Sequence, residues 1–345
     1  MTDKNKNKKY IHGGEIYGKD IELDLSVNLN PLGPPECVMT AVERAGDKLI
    51  NYPEYDSLSL RRKAAGCYGV KPGEIVCGNG ASELIAALGR LFRGGKVLIP
   101  VPCFTGYERG FKESRIIYHE LRMKDRFGIT EEIIKMVHGS KPEAVILGNP
   151  TNPSGVTAER DLLIELIITA GKTGTVVIVD ESFIELCDKG EGASLVDVIK
   201  YYDNLIVLRS VTKAYAVPGL RLGFAICSND AIRKRLASEL PEWNVSVFAG
   251  EAGKAIFKDP DRVRYLERAG DVIKDCRKRL RMNLETAGIE SVPGECCYLL
   301  LHTDRKLKEE MGERKILIRQ CGDMRGLGKN WYRIAVNEAS ASIVF

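Results

Sequence analysis

The stretch AVILGNPTNPSGVTAERDLLIELIITAGKTGTVVIVD, residues 144–180, decides the fold class of this chain. It begins with an apolar run at 144–150, passes through a polar turn into a helical pattern at 159–174, and ends on a second apolar run at 176–180. Neither run alternates with polar residues, which indicates strands buried on both faces, as in a mostly parallel sheet. The stretch therefore predicts one β–α–β unit.

The same rhythm extends on both sides of this unit, from about residue 50 to residue 230. Further strand candidates lie at 74–78, 96–101, 115–121, 205–210 and 220–227, and another helix candidate lies at 81–92. Strands that alternate with helices in this way are typical of open parallel sheets with helices on both faces. We predict an α/β fold with a large, doubly wound, mostly parallel-sheet domain.

The two ends of the chain follow a different pattern. Residues 10–50 are rich in glycine and proline, whereas residues 259–288 form a long helix whose charges indicate a solvated face. Short strand candidates follow at 296–302, 315–321 and 331–336. We predict an N-terminal arm that joins the small domain (1–48), a large domain (49–250) and a smaller α+β C-terminal domain (251–345).

Charge argues against a nucleic-acid partner. The 51 basic and 47 acidic side chains give a net charge of +4, and the first nine residues, MTDKNKNKK, supply +3 of it. The rest of the chain is almost neutral, whereas nucleic-acid binders normally carry a basic face. The basic tail is more simply interpreted as a solvated, frayed terminus.

The remaining composition also narrows the class of protein. The ten cysteines form no C-x-x-C pair and the four histidines show no metal-binding spacing, so we expect free buried thiols and no metal. No apolar run is long enough to cross a membrane, and the first residues lack the apolar core of a secretory signal. These features predict a cytoplasmic protein without a membrane partner.

Two residues at the ends of buried strands suggest a catalytic site. Lys213 follows the strand at 205–210 and Asp180 ends the strand at 176–180. Ligands of open α/β sheets bind at such carboxyl ends, where burial would lower the pKa of an amine and favour a Schiff base. A lysine for an aldehyde and a carboxylate for a ring nitrogen suggest pyridoxal phosphate. Taken singly, Lys213 also fits a surface lysine, and Asp180 also fits a helix cap.

A phosphate site and a polar turn complete the pattern. In GNGASELIAAL, Gly78 and Gly80 permit tight turns before a helix whose first amides, at Ala81 and Ser82, would face an anion. Arg221 would add positive charge. The turn GNPTNPSG at 148–155 places Asn152 to donate to a ligand oxygen, although a plain loop explains this stretch equally well.

Taken together, the motifs D-x-x-[FY], S-x-x-K-x-x-x-x-x-G-x-R-x-G and N-P-x-N-P-[ST]-G resemble the fold-type I enzymes that depend on pyridoxal phosphate. More narrowly, HGGEIYG (12–18), SVNLNPLGPP (26–35), SVTKAYAVPGLRLGF (210–224) and ILIRQCGDMRGLGKNWYRIAV (316–336) resemble the histidinol-phosphate aminotransferase branch. Within that branch the chain is similar to the decarboxylases of L-threonine O-3-phosphate. The resemblance covers nearly the whole chain.

The resemblance implies a role for each matching position. Lys213 would bond covalently to the cofactor, Asp180 would pair with its ring nitrogen, Asn152 would hold its ring hydroxyl and Phe104 would stack on its ring. Its phosphate would be bound by Gly80, Ala81, Ser82, Ser210, Arg221 and, from a partner subunit of a homodimer, Tyr52, with Thr212 also counted in the cofactor site. The substrate would be bound by His12, Asn30, Arg319 and Arg333.

The resemblance also implies the reaction. Phe183 stands where the aminotransferase relatives carry a tyrosine, and this difference favours decarboxylation of a small phosphorylated amino acid, with threonine phosphate preferred and serine phosphate as a variant. The product would serve cobalamin biosynthesis. The alternatives are a histidinol-phosphate or related aminotransferase and a non-catalytic binding protein on the same scaffold. The last should have lost Lys213 or Asp180, and both are present.

Overall fold

The computed structural model describes residues 12–345, so the basic tail lies outside the described residues. Its strands, in chain order, are β1 (Leu23–Asp24), β2 (Ile75–Gly78), β3 (Lys96–Val101), β4 (Arg115–Glu120), β5 (Ala144–Gly148), β6 (Val176–Asp180), β7 (Leu205–Ser210), β8 (Gly223–Ile226), β9 (Glu290–Ser291), β10 (Tyr298–His302), β11 (Ile316–Leu317), β12 (Arg319–Gln320) and β13 (Trp331–Ala335).

The α-helices alternate with the strands over most of the described chain. In chain order they are α1 (Glu36–Ala45), α2 (Leu58–Tyr68), α3 (Ala81–Leu91), α4 (Thr105–Gly110), α5 (Glu132–Ser140), α6 (Arg160–Lys172), α7 (Val211–Ala214), α8 (Asp230–Ser238), α9 (Val247–Lys258), α10 (Arg262–Thr286), α11 (Leu307–Glu313) and α12 (Glu338–Ala341).

A seven-stranded sheet forms the centre of the larger part of the molecule, in the order β2–β8–β7–β6–β5–β3–β4. The pairs from β7 to β4 are parallel, whereas β8 runs antiparallel to both of its neighbours. The predicted mostly parallel α/β sheet is confirmed. The register places Asp180 beside Gly148 on one side and Leu208 on the other, so the ends of β5, β6 and β7 lie together.

Both faces of this sheet are buried, which explains the continuous apolar runs of the sequence. In β6, Val177 and Val179 join one hydrophobic cluster, while Ile178 between them joins another on the opposite face. Helices α5 and α6 cover the first face and α3 covers the second. A strand packed by helices on both sides has no solvated face and therefore no alternating pattern.

The C-terminal part contains a four-stranded antiparallel sheet in the order β12–β13–β10–β9. The segment predicted as one strand at 315–321 divides into β11 and β12, which pair with different partners. β11 pairs in parallel with β1 of the N-terminal segment, whereas β12 pairs with β13. This division brings the N-terminal segment against the small sheet, and it places Arg333 of β13 opposite Arg319 of β12.

Two helices connect the larger and smaller parts. Helix α10 buries one stripe that includes Ala269, Ile273 and Leu280, and most of its charged residues lie outside this stripe. Arg277 is an exception, because it is buried and pairs with Asp188. Helix α9 crosses residue 250 without a break and packs on α1 and α2. The division into domains remains a prediction, and this packing favours a boundary after residue 258. Among the described helices, none is long and apolar enough to cross a membrane.

Candidate active site

A cavity of about 200 Å³ lies at the carboxyl ends of β5, β6 and β7. Eleven of the predicted site residues line it: His12, Ala81, Ser82, Phe104, Asn152, Asp180, Ser210, Thr212, Lys213, Arg221 and Arg333. A wider groove, of about 960 Å³, lies between α1 and α9 and contains none of the predicted site residues. We locate the candidate site in the smaller cavity because its groups are chemically matched to one another.

The amine of Lys213 lies just beyond β7, at the start of α7. Its Nζ donates to Thr212 Oγ1 at 2.9 Å, and the Thr212 and Ser210 hydroxyls are 2.7 Å apart. Burial, followed by the charge of Arg221, lowers the pKa of the Lys213 amine to about 8, although Asp180 opposes this effect. About a tenth of such amines are neutral at pH 7, against about one in three thousand for an ordinary lysine. The amine is therefore suited to attack an aldehyde.

Both oxygens of Asp180 are held in place at the end of β6. Oδ2 accepts from the Tyr107 hydroxyl at 2.8 Å, and Oδ1 accepts from the amide and the hydroxyl of Ser182 at 3.0 and 2.5 Å. Burial and the adjacent carboxylate raise the pKa of Tyr107, which keeps its hydroxyl a donor. Sequence reasoning missed Tyr107, whose position three residues after Phe104 at the start of a helix was the available signal.

A buried ion network anchors the segment that follows Asp180. The Arg209 guanidinium on β7 is fully buried, and it lies 3.2 Å from Glu181 and 3.1 Å from Glu185, with Glu191 as its third carboxylate partner. Glu181 also accepts from the backbone amide of Leu195 at 2.7 Å. Removing a partner from such a network leaves a buried charge uncompensated, so the segment is tied firmly to β7.

The N-terminus of α3 forms a cup for an anion. Gly80 caps the helix with a φ of 78°, and a Cβ atom there would collide with Nη2 of Arg221. A Cβ atom on Gly223 would lie 2.6 Å from the backbone nitrogen of Ala81. The first amides of a helix have no intrahelical acceptor, and here the two glycines keep the space around them open. The geometry suits a phosphate group beside Arg221.

Arg333 places a positive charge in the cavity, and no carboxylate of the described residues neutralises this charge. Its Nη1 donates to Asn152 Oδ1 at 2.7 Å and its Nη2 donates to the Ser26 carbonyl at 3.0 Å. Its Nε has no partner, and burial lowers the pKa of the guanidinium. No carboxylate of residues 12–345 lies within ion-pair distance of it, so this buried cation is matched to an anionic ligand.

The two asparagines of SVNLNPLGPP lie in different surroundings. Asn30, predicted to bind substrate, does not line the cavity, because its Nδ2 donates to the Ala214 carbonyl at 2.7 Å and its Oδ1 accepts from the Leu32 amide. Asn28 does line the cavity, and neither side-chain polar atom of this buried residue has a partner. Asn28 thus faces the cavity, whereas Asn30 holds the N-terminal segment against α7, and the substrate-binding role of Asn30 remains a prediction.

Three other predicted residues are also absent from the cavity lining. Arg319 is buried, but its Nη2 pairs with both oxygens of Asp323 at 2.7 and 2.8 Å. Tyr52 is 80% exposed and packs on the Trp243 ring at 4.9 Å, which leaves it free for the predicted contact with a partner subunit. Gly80 adjoins the cavity through the α3 cup. The roles assigned to these three residues remain predictions.

Two phenylalanines form the apolar walls of the site. Phe104 contacts Tyr107 edge to face at 5.6 Å, and Phe183 packs against Tyr298 at 5.2 Å. The Nζ of Lys213 lies 5.8 Å from the centre of the Phe183 ring. With its buried amine, fixed carboxylate, anion cup and aromatic wall, the cavity offers every group that pyridoxal phosphate requires, so the residues present fit this cofactor.

The fold and this set of groups define a class of enzymes that depend on pyridoxal phosphate. The sequence pattern of the aminotransferase class I and II family matches residues 20–342, and the chain belongs to this family. Nearly the whole chain is therefore accounted for by one family.

Particular relatives narrow the comparison. A Caldanaerobacter subterraneus protein provisionally named threonine-phosphate decarboxylase is 33% identical, over 97% of this chain and 92% of that protein. The threonine-phosphate decarboxylase of Salmonella typhimurium is 30% identical, over 95% and 93% of the two chains. The crystal structure of a histidinol-phosphate aminotransferase from Clostridium acetobutylicum superposes with a TM-score of 0.84 at 30% identity, over 92% of this chain and 95% of that chain.

Proposed function

We propose that the chain binds pyridoxal phosphate and decarboxylates a phosphorylated hydroxy amino acid, with L-threonine O-3-phosphate as the preferred substrate. The observation that carries the proposal is that one cavity contains both Lys213, an amine of lowered pKa, and Arg333, a buried cation that no carboxylate of the described residues neutralises. The similarity to two proteins named for this decarboxylation supports the choice of reaction.

On the cofactor side of the cavity, different residues would hold the ring nitrogen, the aldehyde and the phosphate of the cofactor. Bound pyridoxal phosphate supplies an electron sink that weakens a bond at the substrate Cα atom. Asp180 would keep a proton on the ring nitrogen, because Tyr107 and Ser182 hold its carboxylate in place. Lys213 would hold the cofactor aldehyde and could then carry protons at Cα, while Arg221 and the α3 amides would bind the phosphate.

The substrate side decides which bond breaks. The bond that stands perpendicular to the cofactor ring is the one that is weakened, so the anchoring of the substrate selects the reaction. Arg333 binds the carboxylate with its fork, which its contact with Asn152 orients. Phe183 leaves the neighbourhood of Lys213 without the hydroxyl that the aminotransferase relatives carry, which favours the decarboxylase.

A histidinol-phosphate aminotransferase is the second candidate. The structural likeness to such an enzyme favours it, because the same cofactor groups serve both reactions. A non-catalytic binding protein on this scaffold is a third candidate, but such a protein would be expected to have lost Lys213 or Asp180, and both are present. Decarboxylation would supply an aminopropanol phosphate for cobalamin biosynthesis, and a cytoplasmic location remains part of the proposal.

We also propose that the chain acts as a homodimer, with Tyr52 reaching the cofactor phosphate of the partner. Large apolar side chains are concentrated around Tyr52: Leu49, Ile50, Tyr55 and Trp243 are all exposed, Ile50 to 90%. Patches of this kind usually mark an interface. Light scattering should give twice the chain mass of 38.2 kDa, and a monomer at all concentrations would refute this part of the proposal.

A substrate comparison tests the proposed reaction. The protein loaded with pyridoxal phosphate is incubated with L-threonine O-3-phosphate, and CO₂ and aminopropanol phosphate are measured. A parallel reaction contains histidinol phosphate and 2-oxoglutarate, and glutamate is measured. We expect CO₂ and little glutamate. Glutamate without CO₂ would establish the aminotransferase instead, and neither product would favour the binding protein.

A further inference from the structure

A second cavity, of about 470 Å³, adjoins the candidate active site, and we refer to it as the side cavity. It shares four lining residues with the active-site cavity: His12, Ser82, Ile85 and Phe104. Its remaining walls come from α3 and from α4 with the turn that follows it, including Arg109 and Lys112. A ligand that extends from the active site past His12 would therefore enter this space.

Most charged groups of the side cavity are already engaged. Arg90 pairs with Glu239, and Glu113 pairs with Arg93. Glu83 accepts hydrogen bonds from the Asn79 amide and the Asn244 side chain. Arg109 and Lys112 are exposed, and neither has a carboxylate of residues 12–345 within ion-pair distance. The side cavity therefore carries two positive charges that are open to an anion from solution.

Arg109 differs from Lys112 because its charge acts on His12, which also lines the active-site cavity. His12 lies on the border between the two cavities, where burial lowers its pKa and the charges of Arg319 and Arg109 lower it further. Arg319 is paired bidentately with Asp323, so its charge is largely compensated. Arg109 is thus the guanidinium beside His12 whose fork is still available.

A phosphorylated amino acid presents two anionic groups that need separate partners. Arg333 accounts for the carboxylate, but a phosphate with almost two negative charges at pH 7 remains. An arginine fork matches two phosphate oxygens, which a lysine cannot do. We infer that Arg109 binds the substrate phosphate at the entrance to the side cavity and so sets the preference for phosphorylated over free amino acids. This inference rests on the proposed function.

The test compares Arg109→Gln with the matched variant Lys112→Gln in the full chain loaded with pyridoxal phosphate. Initial rates of CO₂ release are measured with L-threonine O-3-phosphate and with L-threonine. Dissociation constants are measured separately, from the change in the cofactor spectrum, for L-threonine O-3-phosphate and for histidinol phosphate. Arg109→Lys is included because it keeps the charge and loses the fork.

We expect Arg109→Gln to raise KM and the dissociation constant for threonine phosphate by about tenfold or more, since a charged hydrogen bond is lost. The kcat value and the KM for threonine should stay within about twofold. Lys112→Gln should behave like the wild type, and Arg109→Lys should lie between. Equal weakening of both substrates, or equal effects of the two glutamine variants, would overturn the inference.

Failure of the proposed function would be separately visible. If the wild type releases no CO₂ from threonine phosphate, the decarboxylase proposal fails. The spectral titration with histidinol phosphate then still measures whether Arg109 binds a phosphate monoester. Unchanged dissociation constants for both phosphorylated compounds in Arg109→Gln would overturn the role of Arg109 whatever the reaction proves to be.

Discussion

The two halves of the active-site cavity are built in different ways. The cofactor half consists of residues that directly follow parallel strands, and Lys213 and Asp180 hold fixed positions through short contacts within the same sheet. The substrate half is assembled from distant segments, with Asn28 from the N-terminal segment and Arg333 from the small sheet. In the proposed function, the first half would supply the chemistry and the second would set the specificity. Substitutions in the two halves should therefore change different kinetic constants.

Replacing Lys213 should have the largest effect. We expect Lys213→Ala to lose the visible absorbance of the bound cofactor and at least about three orders of magnitude in turnover, because no other described amine lines the cavity. An absorbance scan of the variant with pyridoxal phosphate measures this. An unchanged spectrum would remove Lys213 from the covalent role.

Asp180→Asn keeps the shape of the carboxylate and removes its charge. The variant can no longer hold a proton on the cofactor ring nitrogen, so we expect kcat to fall about 100-fold or more while KM changes little. Steady-state kinetics at saturating cofactor gives both constants. A rise in KM with an unchanged kcat would place Asp180 in the substrate half and contradict the comparison.

On the substrate side, Arg333→Gln should raise KM for threonine phosphate by about 10- to 100-fold, because a charged, bidentate contact with the carboxylate is lost. Arg333→Lys should recover only part of this, since lysine lacks the fork. The spectrum of the bound cofactor should remain that of the wild type. A changed spectrum would mean that Arg333 belongs to the cofactor half.

Asn28 and Asn30 allow a ligand-facing residue and a structural residue of the N-terminal segment to be compared directly. Asn30→Ala leaves the Ala214 carbonyl and the Leu32 amide without partners, so we expect a loss of about 1–3 kcal/mol in the free energy of unfolding. Asn28→Ala removes no side-chain hydrogen bond among residues 12–345, so its stability should stay near wild type while KM rises several-fold. Urea unfolding and kinetics of both variants test this, and the reverse assignment of effects would restore Asn30 to the ligand.

The smallest expected effect is a shift in pH dependence. The neutral amine of Lys213 reacts with aldehydes, so the rate of pyridoxal uptake by the cofactor-free chain should rise with pH through about 8 and then level off. Arg221 lowers this pKa, so Arg221→Gln should move the midpoint to higher pH. Pyridoxal, which lacks the phosphate group, is used so that phosphate binding in the anion cup of α3 does not affect the measured rate. An unmoved midpoint would contradict the electrostatic role of Arg221.

The sequence predicts which residues lie close together when those residues follow neighbouring strands of one parallel sheet. Lys213, Asp180 and Asn152 each lie at or just past the end of a strand, and parallel strands of one sheet bring such ends together. The sequence could not predict the contacts of residues for which several local arrangements are equally possible. Two asparagines separated by one residue in a turn cannot be told apart until the Ala214 carbonyl is seen beside one of them. Likewise, the pairing of Arg319 with Asp323 follows from the path of the loop after β12.

The identity of the bond broken at Cα tests the central claim most directly. The protein loaded with pyridoxal phosphate is incubated with L-threonine O-3-phosphate in D₂O, and substrate and product are examined by NMR during partial conversion. We predict aminopropanol phosphate with one deuteron at the former Cα atom, and recovered substrate that keeps its Cα hydrogen. Deuterium at Cα of the recovered substrate, without an amine product, would show that the site breaks the C–H bond and would contradict the decarboxylase.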